Sequence, residues 1–600
     1  MKILLTAVNA KYIHSNPAVY SLCAYAGETL REHIEIAEYT INHQLEEILA
    51  DIYEKSPDVI AFSCYIWNWN LIQELVTELP KILPGRPIWL GGPEVSYNAP
   101  EILEEYPQLT GIIIGEGEET FRELSEYYVN HTNHAMQQDK NTSRQGASAV
   151  GQNSAVNNKR LQDIPGLALR EGYTPARELT DLNRIPFLYD SLEPFKNRIL
   201  YYESSRGCPY RCSYCLSSID KSVRFRDMHV VKQELQFFLE HQVPQVKFVD
   251  RTFNCNHAHA MEIWRFIHEH DNGVTNFHFE ISADILNEEE LALLQQMRPG
   301  LVQLEIGVQT ANPDTIREIR RVMDLERLEK IVRRIQEGNN IHIHLDLIAG
   351  LPFEDYESFG HSFDRVYGMQ PQQLQLGFLK VLKGSYMHEK VKDYGLFYLD
   401  KPPYEVLCTN WLSYSDVRHL KQIEEMVELY YNSNQFTHTL PVLVQKFNSP
   451  FAMFEALAEF YRRQGYFTQA PARAYRYQVL LDFAEETDPE QSELYRELLT
   501  FDLYLRENMK SRPDFAKDLT PYKEQIRSFY QKEEKERKIL PDYDGYDSRQ
   551  LAKMTHLERF SYAVWNPPEP TKEEAFVLFD YRNRNPLTYE ARIQVIPYKE

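Results

Sequence analysis

Three of the seven cysteines in this 600-residue chain, Cys208, Cys212 and Cys215, lie within the stretch GCPYRCSYC. In a chain with so few thiols, this clustering argues against a disulfide framework and leaves metal binding or catalysis as its chemistry. The proline and arginine between the cysteines indicate a loop, in which the later thiols can turn back toward the first. Packing as small buried hydrophobic residues is the alternative.

The number of thiols distinguishes between two kinds of metal site. A structural zinc ion takes four protein ligands, and only the remote Cys255 and His229 are candidates for the fourth. Each iron of a cubane iron–sulfur cluster is normally held by one thiolate, so three cysteines leave one iron open to a small ligand. The stretch therefore favours a 4Fe-4S cluster held by the three cysteines, with Tyr214 placed to lie against a bound purine.

The cysteines follow the first strand of a repeating pattern that starts near Tyr201. Helices such as Val230–His241 and Ala258–Glu269 separate six apolar runs, which are ILYYESS, QVKFVD, NFHFEIS, LVQLEIGV, IHIHLDLIA and QLQLGFLKV. Alternation of strands and helices predicts a parallel sheet. We expect a partial (β/α)6 barrel over residues 201–395, with its reactive face at the C-terminal strand ends.

This arrangement resembles the signature of the radical S-adenosylmethionine (SAM) superfamily, Cys-x3-Cys-x2-Cys after the first strand of a partial barrel. The resemblance implies that the open iron chelates the amino and carboxylate groups of the methionine moiety of SAM. One-electron reduction then cleaves the sulfonium to a 5′-deoxyadenosyl radical. Segments later in the chain match the superfamily in the same order.

Those later segments imply contacts to SAM from Asp250, Glu280, Ser282, Gln309, Ile348, Gly350 and Pro352. The usual Gly-Gly-Glu at the end of the second strand is replaced here by FVDRTFN, which leaves the contacts at that strand end open. For each of these residues, packing within the strand or satisfaction as a buried polar group is the alternative.

Residues 1–130 show the same alternation, with strands predicted at KILLTAV, IEIAEY, VIAFSCY, PIWLGG and GIIIGEG. Helical spacing covers Pro17–Leu30 and Leu71–Leu83 between them. The pattern predicts a doubly wound, Rossmann-like sheet with its ligand at the C-terminal strand ends. By itself this sheet suits a nucleotide or a flavin, but GEGEET follows the last strand rather than the first, which argues against a dinucleotide.

Placed before a radical SAM barrel, the sheet resembles the cobalamin-binding domain of the class B methylase-like group, which carries GGP after the fourth strand and GEGE after the fifth. The resemblance implies that glycines let the backbone approach the flat corrin, and that aromatic residues including Trp69 cover its edge. The residues carried over as cofactor contacts are Ser63, Trp67, Gly91, Gly92, Pro93, Glu94, Val95, Gly115, Glu116, Gly117 and Glu118.

The Asp-x-His-x-x-Gly sequence that supplies a histidine to cobalt in other cobalamin domains is absent. His14 lies in the corresponding loop as KYIHSN, without the flanking Asp and Gly. We therefore expect no histidine ligand to cobalt, and His14 to serve as a hydrogen-bonding loop residue.

The remaining segments complete the predicted organisation. Residues 131–160, rich in Asn, Gln, Ser and Ala, are expected to be a disordered insertion, and 161–200 a linker that begins with a returning strand, IPGLALREG. Residues 396–600 are predicted to be mainly helical, ending in a hairpin that turns at Asn583–Pro586. The whole chain resembles bacterial cobalamin-binding radical SAM proteins with an uncharacterised C-terminal domain.

Charge and hydropathy limit the partners. A formal net charge of −23 argues against a long nucleic acid, whose binding relies on clustered Lys and Arg. No run of eighteen apolar residues predicts a membrane span, and the N-terminal MKILLTAVNAKYIHS lacks the cleavage site of a signal peptide. A cytoplasmic protein is expected.

The sequence therefore predicts a cobalamin-dependent radical methyltransferase that acts on an unactivated carbon of a small molecule, peptide or modified nucleoside. A flavodoxin or ferredoxin would supply single electrons, and the C-terminal ends of the two sheets would face one cavity. The alternatives are a rearrangement, cyclisation or ring contraction without methyl transfer, and a non-catalytic cobalamin- or cluster-binding sensor. A tRNA methylthiotransferase is disfavoured because Cys23 and Cys64 form no second triad.

Overall fold

The structure, a computed structural model, describes residues 1–142, 160–219 and 222–597, with only the backbone described for 132–142. Two compact units make up the chain. The first contains Met1–Ser282, Ile319–Val322 and Leu379–Leu407, and the second contains Ala283–Glu318, Met323–Phe378 and Cys408–Glu600. The segment predicted as a barrel contributes to both units.

The N-terminal sheet of the first unit has seven strands in the order β2-β1-β3-β4-β5-β6-β7. The first five strands are parallel, and β6 and β7 continue the sheet antiparallel to β5. The five predicted strands and the returning strand are confirmed. Their bounds are β1 (Ile3–Asn9), β2 (Ile34–Thr40), β3 (Val59–Ser63), β4 (Ile88–Gly91), β5 (Gly111–Ile113), β6 (Leu167–Leu169) and β7 (Gly172–Tyr173).

Helices cover both faces of this sheet, as expected for strands that are apolar on both sides. Alternate residues of β1 belong to two separate cores, with Leu4 and Val8 in one and Leu5 and Ala7 in the other. The helices are α1 (Pro17–Tyr25), α2 (Glu28–Arg31), α3 (Leu45–Lys55), α4 (Trp69–Ile82), α5 (Ala99–Glu105) and α6 (Glu118–Thr142). Helix α6 thus reaches into the segment predicted as an insertion, and residues 143–159 of that segment lie outside the described residues.

Strand β1 pairs with β2 on one side and β3 on the other. The strands that follow β1 are therefore added first on one side of it and then on the opposite side. In open parallel sheets, ligands bind in the crevice that such a change of side creates at the C-terminal strand ends. The loops after β1 and β3 border this crevice, so the topology places a ligand site where the sequence predicted one.

The first unit also contains the first strands of the predicted barrel. Strands β8, β11 and β12 are parallel neighbours, and the short β9 and β10 pair antiparallel beside the cysteine loop. The elements are β8 (Leu200–Tyr202), β9 (Ser205–Arg206), β10 (Arg224–Phe225), α7 (Met228–Glu240), β11 (Gln245–Phe248), α8 (His257–Glu269) and β12 (Asn276–Ile281).

The later predicted strands belong to the second unit, where β13, β14 and β15 are parallel neighbours. All six strands predicted for the barrel are thereby confirmed, three in each unit. The elements are α9 (Glu288–Gln296), β13 (Val302–Gln309), α10 (Pro313–Glu318), α11 (Leu325–Glu337), β14 (His342–Ala349), α12 (Tyr356–Tyr367) and β15 (Gln373–Phe378).

The chain then contributes α13 (Tyr386–Glu389), β16 (Phe397–Tyr398) and β17 (Val406–Cys408) before the C-terminal region. That region is helical as predicted, and its final hairpin is confirmed as β19 and β20, although a third antiparallel strand, β18, was not predicted. Its elements are α14 (Tyr414–Met426), a π-helical turn (Val427–Asn432), α15 (Thr439–Leu443), α16 (Pro450–Gln464), α17 (Tyr466–Gln469), α18 (Arg476–Thr487), α19 (Ser492–Arg506), α20 (Lys523–Glu536), α21 (Ser548–Met554), β18 (Thr555–Tyr562), β19 (Lys572–Asp580) and β20 (Arg592–Pro597). Over the described residues, no helix has the length and apolar character needed to cross a bilayer.

Candidate active site

The cysteine loop leaves β9 through Gly207, whose backbone has φ +104°. A Cβ on Gly207 would lie 1.9 Å from the carbonyl oxygen of Ser222, so only glycine fits this turn. Cys208, Cys212 and Cys215 are all free thiols; Cys212 is buried and the other two are half-buried. The local fold therefore presents three thiols that form no disulfide on one tight loop.

The spacing of these thiols does not suit a single metal ion. Among the described residues, the one group of three or more His, Cys, Asp or Glu side chains with ligand atoms within 4.8 Å of one another lies elsewhere. The cysteine triad is not such a group, with or without the zinc candidates Cys255 and His229. Sulfur ligands of one zinc ion lie about 4 Å apart, so the thiols as placed here do not form a zinc site.

Arg321 brings a positive charge to the cysteine loop. Its Nη1 lies 3.8 Å from Cys212 Sγ and 3.5 Å from the Tyr214 hydroxyl. The backbone N–H of Ser213 donates to the carbonyl of Ile319 at 2.9 Å, which fixes this segment against the loop. Burial raises the pKa of Cys212, while Arg321 acts to lower it. No sequence pattern marked Arg321, because it lies far along the chain from the cysteines.

Asp250 at the end of β11 holds the backbone that precedes the cysteine loop. It is fully buried and accepts hydrogen bonds from the N–H groups of Ser204 and Ser205, both at 2.9 Å, and from the Ser204 hydroxyl. Burial raises the pKa of Asp250 to about 7, and the hydrogen bonds from Ser204 and Ser205 oppose that rise. These contacts make Asp250 a positioning residue, and its predicted contact to SAM stays a prediction.

The other residues predicted to contact SAM divide between the units. In the first unit, Glu280 and Ser282 lie at the end of β12, where the Asn254 side chain bonds both the N–H and the carbonyl of Ser282 at 2.9 and 2.8 Å. The second unit contains the remaining four, Gln309, Ile348, Gly350 and Pro352.

Gln309 has the geometry of a ligand contact. It has φ +72° beside a bulge in β13, a backbone conformation that persists where the surrounding structure enforces it, often at functional sites. Its Oε1 is buried and has no hydrogen-bond partner among the described residues. A buried amide oxygen without a partner is costly, so this atom fits a donor supplied by a bound molecule.

A cavity of about 850 Å³ lies in the first unit, between the N-terminal sheet and the first barrel strands. We call it the inter-sheet cavity. Residues after β1, β3 and β5 line one side, among them His14, Trp67 and Gly115, and residues after β8 and β11, among them Arg206 and Arg251, line the other. Within this unit, the predicted meeting of the two sets of strand ends on one cavity is confirmed.

A second cavity of about 540 Å³, the strand-end cavity, adjoins it, and the two share the lining residues Ala18, Tyr65, Gly115, Glu116, Glu118 and Arg206. Most of the residues predicted to contact cobalamin line the strand-end cavity, namely Ser63, Gly91, Gly92, Pro93, Gly115, Glu116, Gly117 and Glu118. The structure thus brings both glycine-containing stretches to one site.

The physical reason for a glycine differs among the positions that line the strand-end cavity. A Cβ on Gly92 would lie 2.4 Å from the backbone carbonyl oxygen of Cys64, so the fold itself requires glycine there, whereas one on Gly117 would lie 3.1 Å from the flexible end of the Leu22 side chain. Gly115, at φ +75°, has nothing within 4 Å of its Cβ position. It therefore leaves open space beside the cavities, which fits the close approach of a flat cofactor.

Other predicted contacts lie away from the cavities. Val95 and Trp69 are buried in the hydrophobic core of the N-terminal sheet, where their apolar side chains stabilise the fold. The buried Glu94 accepts a hydrogen bond from the Tyr404 hydroxyl. Trp67, by contrast, is exposed on the inter-sheet cavity and stacks on Tyr65 with ring centroids 4.4 Å apart, presenting a flat surface.

An ionic network joins the GEGE stretch to the cysteine loop. Arg206 contacts Glu203 and Glu118, each at 2.8 Å, and Glu116 at 3.4 Å. Glu116 also forms an ion pair with Arg224. Burial alone would raise the pKa of Glu116, but Arg224 and Arg206 outweigh it, so that pKa is lowered. The glutamates predicted to face cobalamin thus bind the protein's own arginines.

His14 links the two parts of the inter-sheet cavity wall. Its Nδ1 lies 2.7 Å from the hydroxyl of Tyr201 on β8, in agreement with a hydrogen-bonding role. Burial, followed by the charges of Lys11 and Lys247, lowers the pKa of His14.

Family models match three parts of the chain. Residues 3–125 match the B12 binding domain, 202–366 the radical SAM superfamily, and 392–579 a protein family of unknown function, DUF4080. The chain combines a B12-binding domain with a radical SAM domain. Domains of these two kinds bind cobalamin, and a 4Fe-4S cluster together with SAM, and the glycines and cysteines described above fit those cofactors.

Curated relatives match the same region. The chain is 26% identical over 326 residues to the 2-(S-pantetheinyl)-carbapenam-3-carboxylate methyltransferase of Streptantibioticus cattleyicolor, covering 52% of this chain and 45% of the relative. It is 24% identical over 380 residues to the cobalamin-dependent radical SAM methyltransferase TokK of Streptomyces tokunonensis, covering 58% and 51%. The chain thus spans about half the length of these relatives.

Among solved structures, the cobalamin-dependent SAM radical enzyme OxsB, with aqua-cobalamin and SAM bound, aligns with a TM-score of 0.54 and 15% identity. The alignment covers 83% of this chain and 78% of OxsB. At that identity the match shows a shared fold.

Proposed function

We propose that the protein is a cobalamin-dependent radical SAM methyltransferase that methylates an unactivated carbon of a small molecule, a peptide or a modified nucleoside. The inter-sheet cavity carries this proposal. Its wall includes Gly115 of the B12-binding domain and Gly207, the residue immediately before Cys208. A substrate in this cavity would lie within reach of both cofactor-binding loops.

The role proposed for each domain follows from the chemistry of the cofactor that it would bind. When bound, the cluster supplies the electron that cleaves SAM, and cobalamin carries the methyl group to be transferred. Cys208, Cys212 and Cys215 hold the cluster, and the open space at Gly115 and the flat face of Trp67 receive the corrin. Enclosure between the two sets of strand ends orients the substrate and limits water.

The proposal assigns residues 1–130 to cobalamin, 201–395 to SAM, and 396–600 to substrate selection, with 131–160 as an insertion and 161–200 as a linker. It places the protein in the cytoplasm, where all seven cysteines would stay as the free thiols found here. A flavodoxin or ferredoxin would be the electron donor. Two relatives named as methyltransferases support methyl transfer.

One experiment separates the candidate functions without knowledge of the substrate. Full-length protein is reconstituted anaerobically with iron, sulfide and cobalamin, then given a one-electron reductant and SAM labelled in its methyl group. A methyltransferase should form 5′-deoxyadenosine and should also transfer the label to cob(I)alamin. Formation of 5′-deoxyadenosine without labelled cobalamin would favour the rearrangement, and formation of neither product would favour a sensor.

A further inference from the structure

The segment 179–189, predicted to be part of a linker, forms one wall of the inter-sheet cavity. Its residues on that wall are Leu179, Ile185, Phe187, Leu188 and Tyr189. None of these five lines the strand-end cavity, where most of the predicted cobalamin contacts lie. The wall therefore borders a part of the inter-sheet cavity that the predicted cobalamin site does not share.

Hydrogen bonds near both ends hold this segment in place. The N–H of Thr180 donates to the Glu116 carboxylate at 2.7 Å. The hydroxyl of Tyr189 donates to the carbonyl of Tyr201 at 2.6 Å and accepts from the N–H of Tyr201 at 2.9 Å. Because one end is bonded just after β5 and the other to β8, the segment presents a fixed surface to the cavity.

Apolar side chains of this segment remain open to the cavity. Leu179 is 51% exposed, and Phe187 and Leu188 are half-buried. Apolar surface that the fold leaves uncovered in a cavity can be buried by the apolar part of a ligand, which favours binding. The wall thus suits the hydrocarbon or aromatic body of a molecule.

The charged side chains around the cavity are neutralised by ion pairs, with one exception. Arg206 pairs with all three glutamates that line the cavity, and Arg226 pairs with Glu234. Arg251 also lines the cavity and is exposed. Within the described part of the chain, its guanidinium forms neither a hydrogen bond nor an ion pair. The cavity therefore offers one uncompensated positive charge.

The position of Arg251 on the cavity separates it from the predicted SAM contacts. Its neighbour Asp250 is fully buried and bonds the backbone that precedes the cysteine loop. Glu280 and Ser282, also predicted to contact SAM, do not line the cavity. The charge of Arg251 is thus available to a further ligand.

We propose that the substrate carries a carboxylate, which Arg251 binds, and an apolar body, which packs against the segment 179–189. A guanidinium can hold a carboxylate through two parallel N–H···O bonds, and one such cation balances one carboxylate charge. This inference rests on the proposed function, which assigns the inter-sheet cavity to the substrate. It gives the predicted linker a second role, in substrate selection.

The test uses octanoate as the probe, with octanol and octyl phosphate for comparison. Full-length protein is loaded with cluster, cobalamin and SAM but receives no reductant, so that no turnover occurs, and binding is measured by isothermal titration calorimetry. Octanoate should bind once per chain and about tenfold more tightly than octanol, because only the carboxylate can use the charge of Arg251. Octyl phosphate should bind no more tightly than octanoate. Absence of octanoate binding, equal affinity for octanol, or tighter binding of octyl phosphate would overturn the proposal.

Variants show where the probes bind. Arg251→Met should weaken octanoate binding about tenfold and leave octanol binding unchanged. Leu179→Ser should weaken the binding of both, because it removes apolar surface from the wall. Arg333→Met, at an exposed arginine of α11 in the second unit, is the matched control and should bind both as the native chain does. A folded Arg251→Met variant that still prefers octanoate, or that loses SAM while its octanoate affinity is unchanged, would contradict the role of Arg251.

This result is separate from that of the label-transfer experiment, because binding does not require turnover. Methyl transfer without a preference for octanoate would contradict only the substrate class. A preference for octanoate without formation of 5′-deoxyadenosine would contradict only the proposed function.

Discussion

Arg206 and Glu118 form an ion pair at 2.8 Å that joins the radical SAM domain to the B12-binding domain inside the first unit. Arg206 stands two residues before Cys208, and Glu118 is the last residue of the GEGE stretch and the first of α6. Both side chains are largely buried, at 22% and 7% exposure. The pair therefore fixes the start of the cysteine loop relative to the loop predicted to face cobalamin.

Replacing Arg206 with Gln should destabilise the first unit by about 3 kcal/mol, because the change leaves the buried Glu118 and the half-buried Glu203 without the cation that Arg206 supplies. The thermal midpoint should fall by several degrees. A double variant with Glu118→Gln should lose less than the sum of the two single losses, since the two residues interact. Arg334→Gln, which breaks the exposed pair with Glu288, is the control and should cost less than about 1 kcal/mol. An Arg206→Gln variant as stable as the native chain would contradict the coupling.

Replacing Cys212 with Ala should abolish the visible absorption of the iron–sulfur cluster and the formation of 5′-deoxyadenosine. Two thiols cannot hold a cluster that takes one thiolate at each of three irons. Binding of cobalamin, measured by the absorption of cobalamin itself, should persist. The strand-end cavity is lined by Arg206, which precedes the cysteine loop, but by no residue of the loop. Cys408→Ala is the control and should leave both signals unchanged. A Cys212→Ala variant that still cleaves SAM would show that the triad has another role.

Replacing Arg321 with Met should lower the reduction potential of the cluster by on the order of 50–100 mV. Hydrogen bonds and positive charge near a ligand sulfur stabilise the more negative, reduced cluster, and a hydrogen bond to a charged group contributes about 1.5–3 kcal/mol. Redox titration monitored by EPR measures this shift. Arg320→Met, which removes a neighbouring cation stacked on Tyr386, should change the potential little. Equal shifts in both variants would assign the effect to general charge rather than to Arg321.

Replacing Gly115 with Leu should weaken cobalamin binding at least tenfold, because the side chain would enter the space that the glycine leaves open. Gly85→Leu provides a matched control. Gly85 has φ +76°, and nothing lies within 4 Å of its Cβ position, so both variants carry the same backbone strain. Titration followed by cobalamin absorption measures the affinity. If the two variants bind cobalamin equally well, Gly115 does not approach the corrin.

Replacing Glu354 with Gln should change the pH dependence of stability in the second unit. Glu354 is fully buried and accepts hydrogen bonds from the Thr310 and Ser362 hydroxyls on one oxygen. Burial raises its pKa to about 7, while hydrogen bonds from Thr310 and Ser362 oppose the rise. Since the folded-state pKa lies above the ordinary value, its stabilising contribution is present at low pH and is lost as pH rises through about 7.

The native chain should therefore lose about 3 kcal/mol between pH 4.5 and 8 through this group, and Glu354→Gln should not, because the neutral amide oxygen can accept the same hydrogen bonds. Thermal midpoints at pH 5 and pH 8 provide the measurement. The variant should match the native chain at pH 5 and exceed it at pH 8. Glu357→Gln, at an exposed position in the first turn of α12, should show no such difference, and a pH-independent effect of Glu354→Gln would contradict the assignment.

The sequence alone was sufficient for features that depend on neighbouring residues. The five strands of the N-terminal sheet and the six strands of the barrel were predicted because side-chain periodicity is a local property of each element. The cysteine loop was recognisable for the same reason: the spacing of Cys208, Cys212 and Cys215 decides which thiols can converge, whatever surrounds them.

Contacts between residues far apart in the sequence were decided by the packing of distant segments. Arg321 reaches Cys212, and Tyr404 reaches Glu94, although nothing local relates either pair in the sequence. The glycines show the same limit, because Gly92 is required by the nearby Cys64 backbone while Gly115 borders open space, and both look alike in the chain. Contacts of this kind depend on how the elements pack, and packing is settled only when the whole chain folds.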